Sequence, residues 1–258
     1  MTKVIFEVNH PPGAGVLALG ALTGRAEMAV TETGAAQAIA LIDAMAERWP
    51  DRVQAAADLS VSDRDRLMAQ IYARVFGGRI SGTSECQGCA ERFDFDFALD
   101  DLLASVEAEP ARADADGWYI DGDTRFRLPT GRDELAAQGQ PADRAAEVIA
   151  LACAPKASAA DRARIESRMA RIAPLIDLSL QADCPECGTP NTMRFAAERY
   201  CLTALLRDRP RLMREVHRLG AAYHWPLSDI LSLPRDDRRA LAEQIAMDRD
   251  GARRAGAA

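Results

Sequence analysis

Residues 84–93, SECQGCAERF, and residues 182–191, ADCPECGTPN, decide how this chain is read. Each holds two cysteines with two residues between them, Cys86 with Cys89 and Cys184 with Cys187. Each also carries a glycine, Gly88 or Gly188, that helps backbone amides turn toward the sulfurs. One CxxC turn offers two sulfurs to an ion, and two such turns complete the tetrahedral thiolate shell that zinc prefers. A thioredoxin-type dithiol would instead need a single CxxC at a helix N-terminus, whereas both of these fall in predicted hairpin turns. Four thiolates leave no open position for water or substrate, so the expected metal is structural, one zinc per chain.

The 94 residues between the pairs are far more than a continuous zinc ribbon uses, and an internal duplication accounts for them. Sliding the chain by 98 positions lays Cys86 and Cys89 on Cys184 and Cys187. It also lays Ser60, Asp63, Arg64 and Arg66 on Ser158, Asp161, Arg162 and Arg164, and Ser81 and Phe97 on Ser179 and Phe195. Eight of 39 positions agree between 59–97 and 157–195, enough to align the segments and too few to prove common ancestry. Upstream, a register of 107 matches Gly24, Arg25 and Glu27 in LTGRAE with Gly131, Arg132 and Glu134 in LPTGRDE.

Each copy reads as a capped helix leading into a metal knuckle. Ser60-x-x-Asp63 and Ser158-x-x-Asp161 are capping boxes, with the serine oxygen accepting an amide at the helix start. Leu67, Ile71 and Val75, and then Ile165, Met169, Ile172 and Ile176, recur at near-helical spacing. A short strand runs into each CxxC and a return strand leaves it: RFDFDF alternates at 92–97, and TMRF is its shorter counterpart. Helices are expected at 98–107 and 196–208. Two earlier hairpins are expected, KVIFEV with VLALGAL across NHPPGAG, and WYI with TRFRL across an Asp121-Gly122 turn. The charged run EAEPARADAD at 107–116 is the expected linker. Past residue 208 an amphipathic stripe of Leu212, Val216, Leu219 and Tyr223 begins a helical module, interrupted at 223–226, reopened after Pro234 and fraying in GARRAGAA.

The expected fold is therefore α+β: internally duplicated β-hairpin/helix/zinc-knuckle halves at 1–108 and 109–208 sharing one four-cysteine zinc, plus a helical extension at 209–258. At 258 residues the chain has ample length for a core. Its apolar runs are too short for a spanning helix, which needs about 20 residues. MTKVIFEVNHPPGAG lacks the basic start, apolar stretch and cleavage site of a signal peptide, so a cytoplasmic location is expected.

The remaining chemistry is sparse. In register, Cys153 and Cys201 fall on Ala55 and Leu103, ordinary apolar helix positions, and are expected to be buried thiols. GAGVLALG lacks the Gly-Lys-Ser/Thr of a phosphate loop. His217 and His224 have too few companions for a second metal site, and no nucleophile with an adjacent His and acid can be assembled, so no enzyme is expected. The net charge is −7, and the 30 arginines and two lysines are dispersed among 39 acids, which disfavours a nucleic-acid footprint. A zinc-ribbon-type nucleic-acid-binding regulator is the alternative reading.

LSVSDRDRLMAQIYARVFGGRI at 59–80, FDFDFALDDLL after the first knuckle, RLPTGRDE at 127–134, CPECG at 184–188 and especially EVHRLGAAYHWPLSDILSLPRDDRRAL at 215–241 carry a resemblance. Together they are similar to the baseplate hub assembly chaperones of contractile-tailed phages and related contractile injection systems. ECQGC departs from the CPxC form of a first knuckle. The resemblance implies a non-enzymatic factor that binds hub or spike proteins before they join the particle. It would act in the cytoplasm of the host or producer cell or travel with the particle, with no nucleic acid, membrane or small-molecule substrate. Tyr223, Trp225, Ile230 and Leu233, around two aromatics at a helix break, are the expected partner surface; packing of the C-terminal module on the body is the competing reading.

Overall fold

Alternation in VIFEV and GVLAL produces an antiparallel hairpin, β1 (Val4–Val8) and β2 (Gly15–Leu19), with Val4 opposite Leu19 and Val8 opposite Gly15. These coordinates are those of a computed structural model, which describes residues 4–255; Lys3 of KVIFEV and the last three residues of GARRAGAA lie outside them. Phe6, Val8, Leu17 and Leu19 are buried, so the period of two places one face of the hairpin on the core. Helix α1 (Gly24–Ala29) follows, with Thr23 Oγ1 accepting the Ala26 amide at 3.3 Å. Helix α2 (Ala35–Met45) runs directly into β3 (Ala46–Arg48), which pairs with β2; three residues with no alternation gave the sequence reading nothing to find.

Helix α3 (Val61–Phe76) begins where the capping box places it, Ser60 Oγ accepting the Asp63 amide at 3.0 Å. Helix α7 (Ala159–Ile172) begins the same way, Ser158 Oγ accepting the Asp161 amide at 3.2 Å. After α3 come β4 (Arg79–Glu85), β5 (Arg92–Ala98) and α4 (Leu99–Ser105); after α7 come β8 (Asp177–Asp183), β9 (Pro190–Ala196) and α8 (Ala197–Tyr223). The two hairpins agree position for position at an offset of 98. Arg79 pairs with Ala98 and Glu85 with Arg92 in one, Asp177 with Ala196 and Asp183 with Pro190 in the other. Phe97 and Phe195, equivalent at this offset, meet edge to face with centroids 5.3 Å apart.

Between these units lie β6 (Tyr119–Asp121), β7 (Thr124–Phe126), α5 (Gly131–Ala137) and α6 (Ala142–Cys153). Asp121 pairs with Thr124, so the two-residue turn is Gly122-Asp123, one place later than expected. Gly122 has φ +57°, a left-handed conformation that glycine adopts without a Cβ clash. The 107–116 segment is irregular to Asp114 but tethered: the Glu109 amide donates to the Arg171 carbonyl, and its carboxylate pairs with Arg168 and Arg171 of α7.

The halves do not form separate cores. The main cluster runs from β1, β2, α2 and α3 through Ile80 and Leu99 to Ile176, Phe195, Cys201 and Leu205 of the second unit. Among the described residues, only a small cluster with Tyr119, Phe126, Leu128, Ile165 and Ile172 belongs to the second half alone. Helix α8 is continuous for 27 residues across the expected 208/209 boundary. Pro210 removes one amide within it, yet Leu205 and Leu212 on either side are buried, so packing carries the helix through a residue that would otherwise weaken it. It ends at His224, in the left-handed region at φ +55°. Then come α9 (Leu227–Ser232), preceded by Pro226, and α10 (Arg235–Ala255), preceded by Pro234. GARRA, expected as a tail, continues α10 as far as Ala255.

Helix α10 returns to the N-terminal half. The Arg235 amide donates to the Leu22 carbonyl at 2.8 Å and the Gly24 amide to the Leu233 carbonyl at 3.3 Å. The fully buried Arg238 donates to Glu27 at 2.5 Å and to Glu215 at 2.9 Å, and Arg235 also pairs with Glu27 and with Asp208. No described helix is long and apolar enough to cross a membrane.

Candidate metal centre

The register of the two hairpins delivers their turns to the same place. Cys86 Sγ lies 3.5 Å from Cys187 Sγ and Cys89 Sγ lies 3.8 Å from Cys184 Sγ, and all four sulfurs fall within 4.8 Å of one another. A tetrahedron with zinc–sulfur bonds of about 2.3 Å has edges of about 3.8 Å. The donor set therefore fits a single four-coordinate metal, with each hairpin giving one buried sulfur (Cys86, Cys184) and one exposed (Cys89, Cys187).

The knuckles share a backbone design. The Cys86 amide donates to the Glu91 carbonyl and the Ala90 amide to the Cys86 carbonyl; the Cys184 amide donates to Thr189 and the Gly188 amide to Cys184. The left-handed residue of each turn is the one after the second cysteine, Ala90 at φ +61° and Gly188 at φ +71°. Gly188 thus has the conformational role expected of it, and Ala90 takes that role in the first knuckle. Gly88 turns its amide to Cys86 Sγ at 3.3 Å, as expected, and serves contact as well: a Cβ there would sit 2.5 Å from Thr189 Oγ1, so its absence lets the knuckles approach closely.

Asn191 joins the two turns, and nothing in the sequence reading singled it out. It is buried; its Oδ1 accepts the Gln87 amide at 2.9 Å, and its Nδ2 donates to the Thr189 carbonyl at 2.7 Å and toward Cys86 Sγ at 3.6 Å. Its counterpart at the offset of 98 is Phe93, also buried beside Cys86 and Cys184. A polar residue at an inward position of an alternating strand was the available signal. Hydrogen bonds orient ligating sulfurs and set their basicity. In the free thiols, the amides of Cys89 and Gly88 together with Asn191 hold Cys86 down at about 6. Cys89 goes the other way, to about 12: the Glu91 amide pulls it down, but the protons it shares with Cys187 and the other thiols prevail. Thr189 lowers Cys187, by a side-chain hydrogen bond first and its backbone second.

Cys153 and Cys201 are both buried, away from this cluster, and burial pushes each thiol up to about 12. Of the four residues expected at a partner surface, the structure separates two from the others. Tyr223 and Trp225 stack with centroids 4.9 Å apart and remain 38% and 41% exposed, beside exposed Leu227. Ile230 is buried against Leu219 and Ile245, with Leu233 packed on the same cluster, so these two hold α9 to α8 and α10. Ile230 lies on the inner face of a single-turn helix between two long ones, which is why it is a core residue and not a contact residue. Comparison with family models, with curated proteins and with solved structures finds no match.

Proposed function

We propose that the protein is a non-enzymatic baseplate hub assembly chaperone, or baseplate-associated protein, of a contractile phage tail or related injection system. In this reading it is clasped by one structural zinc per chain. The observation that carries the baseplate reading is the run EVHRLGAAYHWPLSDILSLPRDDRRAL at 215–241. It folds as the end of α8, α9 and the start of α10, packing Val216, Leu219, Ile230, Leu233 and Leu241 into one cluster that Ile245, further along α10, completes. The zinc reading rests on the sulfur tetrahedron, and the proposed duplication of the halves on the residue-for-residue agreement of the two knuckle hairpins.

When bound, zinc supplies a crosslink with every coordination position filled by protein. Such sites contribute about 10–16 kcal/mol in zinc-finger peptides, enough to govern whether two short hairpins stay together. Cys86, Cys89, Cys184 and Cys187 hold the ion, Asn191 fixes the turn-to-turn geometry, and Gly88 permits the approach. The hairpins then hold α3 and α8 in one core, and α8 carries Tyr223 and Trp225 to the surface.

The test is co-expression with the hub and spike proteins of a contractile tail from the same source, followed by co-purification. The account expects a complex with a hub or spike protein that Trp225→Ala loses while its melting temperature stays near that of the parent. No such complex with either component, or a Trp225→Ala chain that simply unfolds, would contradict it.

A further inference from the structure

The helix start that docks LPTGRDE on α3 recurs twice more in the chain, and one of the three has nothing docked among the described residues. In the first, the Gly131 amide donates to the Leu59 carbonyl at 3.2 Å and the Val61 amide to the Pro129 carbonyl at 3.0 Å. Gly131 is pressed so close that a Cβ would lie 3.0 Å from Ala57 Cα, and Arg64, fully buried, pairs with Glu134 and Glu198. The second is the start of α10, which aligns with α3 at an offset of 174 through Asp63/Asp237, Arg64/Arg238, Leu67/Leu241 and Ile71/Ile245. It docks LTGRAE by the same pair of backbone bonds, Gly24 to Leu233 and Arg235 to Leu22. A Cβ on Gly24 would lie 3.2 Å from the Cα of Leu231, the counterpart of Ala57, and Arg238 takes Glu27 and Glu215. One docking mode is thus used twice: a Thr-Gly-Arg-x-Glu helix start laid across a helix start, with its glutamate on a buried arginine.

The third start is that of α7, where Ser158, Asp161, Arg162 and Ile165 stand at the positions of Ser60, Asp63, Arg64 and Leu67. Here the socket is open. Ser158 and Ala159 are exposed where Ser60 and Val61 are buried. The Ala159 amide and Ala157 carbonyl, counterparts of the two groups that bond the docked strand on α3, have no such backbone partner among the described residues. Arg162 is half-buried with its Nε shielded from solvent and unpartnered, and it makes no ion pair with any described residue. It faces an open, mostly apolar cavity of about 600 Å³, lined also by Ile149, Ile165 and Met169. Glu134 and Glu166 line the same cavity without pairing with Arg162.

We propose that the start of α7 is a docking site for a Thr-Gly-Arg-x-Glu helix start supplied by a different protein chain. The docked strand would pair with Ala157 and Ala159, its glycine would cross Pro155, the counterpart of Ala57, and its glutamate would meet Arg162. A second copy of this chain is the poorer occupant, because both of its own Thr-Gly-Arg-x-Glu segments are held internally with their glutamates on buried arginines. The inference stands on these contacts and does not depend on the baseplate reading.

The test uses the full-length, metal-loaded chain labelled with ¹⁵N and a synthetic acetylated peptide FRLPTGRDELAAQGQ, the sequence of residues 126–140. Amide shifts should move at 157–165 on titration to millimolar peptide. Binding should weaken roughly tenfold or more when the peptide glutamate is changed to glutamine or the protein carries Arg162→Ala, since a charge-assisted contact is lost. Arg162 has no ion-pair partner to lose among the described residues, so Arg162→Ala should melt as the parent does. The proposal is overturned if no shift appears at millimolar peptide, if the shifts centre on the starts of α3 or α10, or if Arg162→Ala binds within about twofold of the parent. Concentration-dependent self-association in the ultracentrifuge that Arg162→Ala abolishes would make a second copy the occupant, and so would overturn it as well.

Discussion

Replacing Asn191 by alanine removes the side chain that ties one knuckle to the other, and the structure sets the size of the effect. Three contacts are lost: the Gln87 amide to Oδ1 at 2.9 Å, Nδ2 to the Thr189 carbonyl at 2.7 Å, and Nδ2 toward Cys86 Sγ at 3.6 Å. The Thr189 carbonyl keeps the Cys184 amide as a partner, so its loss is small, whereas the Gln87 amide has no other partner among the described residues. A net hydrogen bond contributes about 1 kcal/mol and one to a charged acceptor, here a metal-bound thiolate, about 1.5–3 kcal/mol. Given the long sulfur contact, the total is about 2–3 kcal/mol, or roughly a 30- to 150-fold loss of zinc affinity. That agrees with the roughly 10- to 100-fold effects typical of residues that hydrogen-bond to metal ligands. Competition against a chromogenic chelator measures it directly. Thr83→Val is the control, because it breaks the exposed 2.7 Å Thr83–Asp94 hydrogen bond on the same hairpin and should leave affinity unchanged. An Asn191→Ala chain with parental zinc affinity would refute the reasoning, since the knuckles would then be aligned by something other than this bridge.

Further outcomes follow from the buried charges and close approaches. Glu27→Gln removes a buried carboxylate that both Arg235 and Arg238 use, leaving them Asp208 and Glu215, and with two charged hydrogen bonds weakened should cost about 3–5 kcal/mol by denaturant unfolding. Glu134→Gln should cost less, because Glu134 is 26% exposed and meets one arginine where Glu27 meets two; equal losses would count against this. Burial raises the Asp65 carboxyl to about 7. The folded state then holds a proton that the unfolded chain releases above about pH 3.9, so stability falls as pH rises from about 4 to 7 and levels off beyond. Asp65→Asn should flatten that decline in urea melts; an unchanged pH profile would assign it elsewhere. Gly131→Ala places a methyl 2.8 Å from Ile39 Cδ1 and 3.0 Å from Ala57 Cα, and should lower stability by about 1–3 kcal/mol. A neutral Gly131→Ala would show that α5 can lift from this contact.

The sequence made legible whatever depended on local chemistry. The serine caps of α3 and α7, the alternation of RFDFDF and the pairing of CxxC motifs each have a short-range cause, and each appears in the structure where its residues placed it. What was hidden depended on tertiary packing. An amphipathic stripe starting after 208, where the duplication ends, suggested a new element, but buried leucines on both sides of Pro210 carry α8 straight through. Ile230 sits among aromatic and aliphatic residues around a helix break, and only the closure of α10 over α8 decides that it faces inward. Asn191 and Gly88 matter because two segments nearly 100 positions apart come into contact, a relation no local window contains. The kinship of α10 with α3 lay beyond the half-length registers and emerged from matching backbone bonds.

The central claim is that two hairpins share one metal. Native mass spectrometry of the chain purified without added metal tests it in one measurement. The account predicts the mass of the protein plus a single zinc, lost alike in Cys86→Ser and in Cys184→Ser because each hairpin supplies half of the same shell. Two zincs per chain, none, or a zinc that survives either substitution would contradict it.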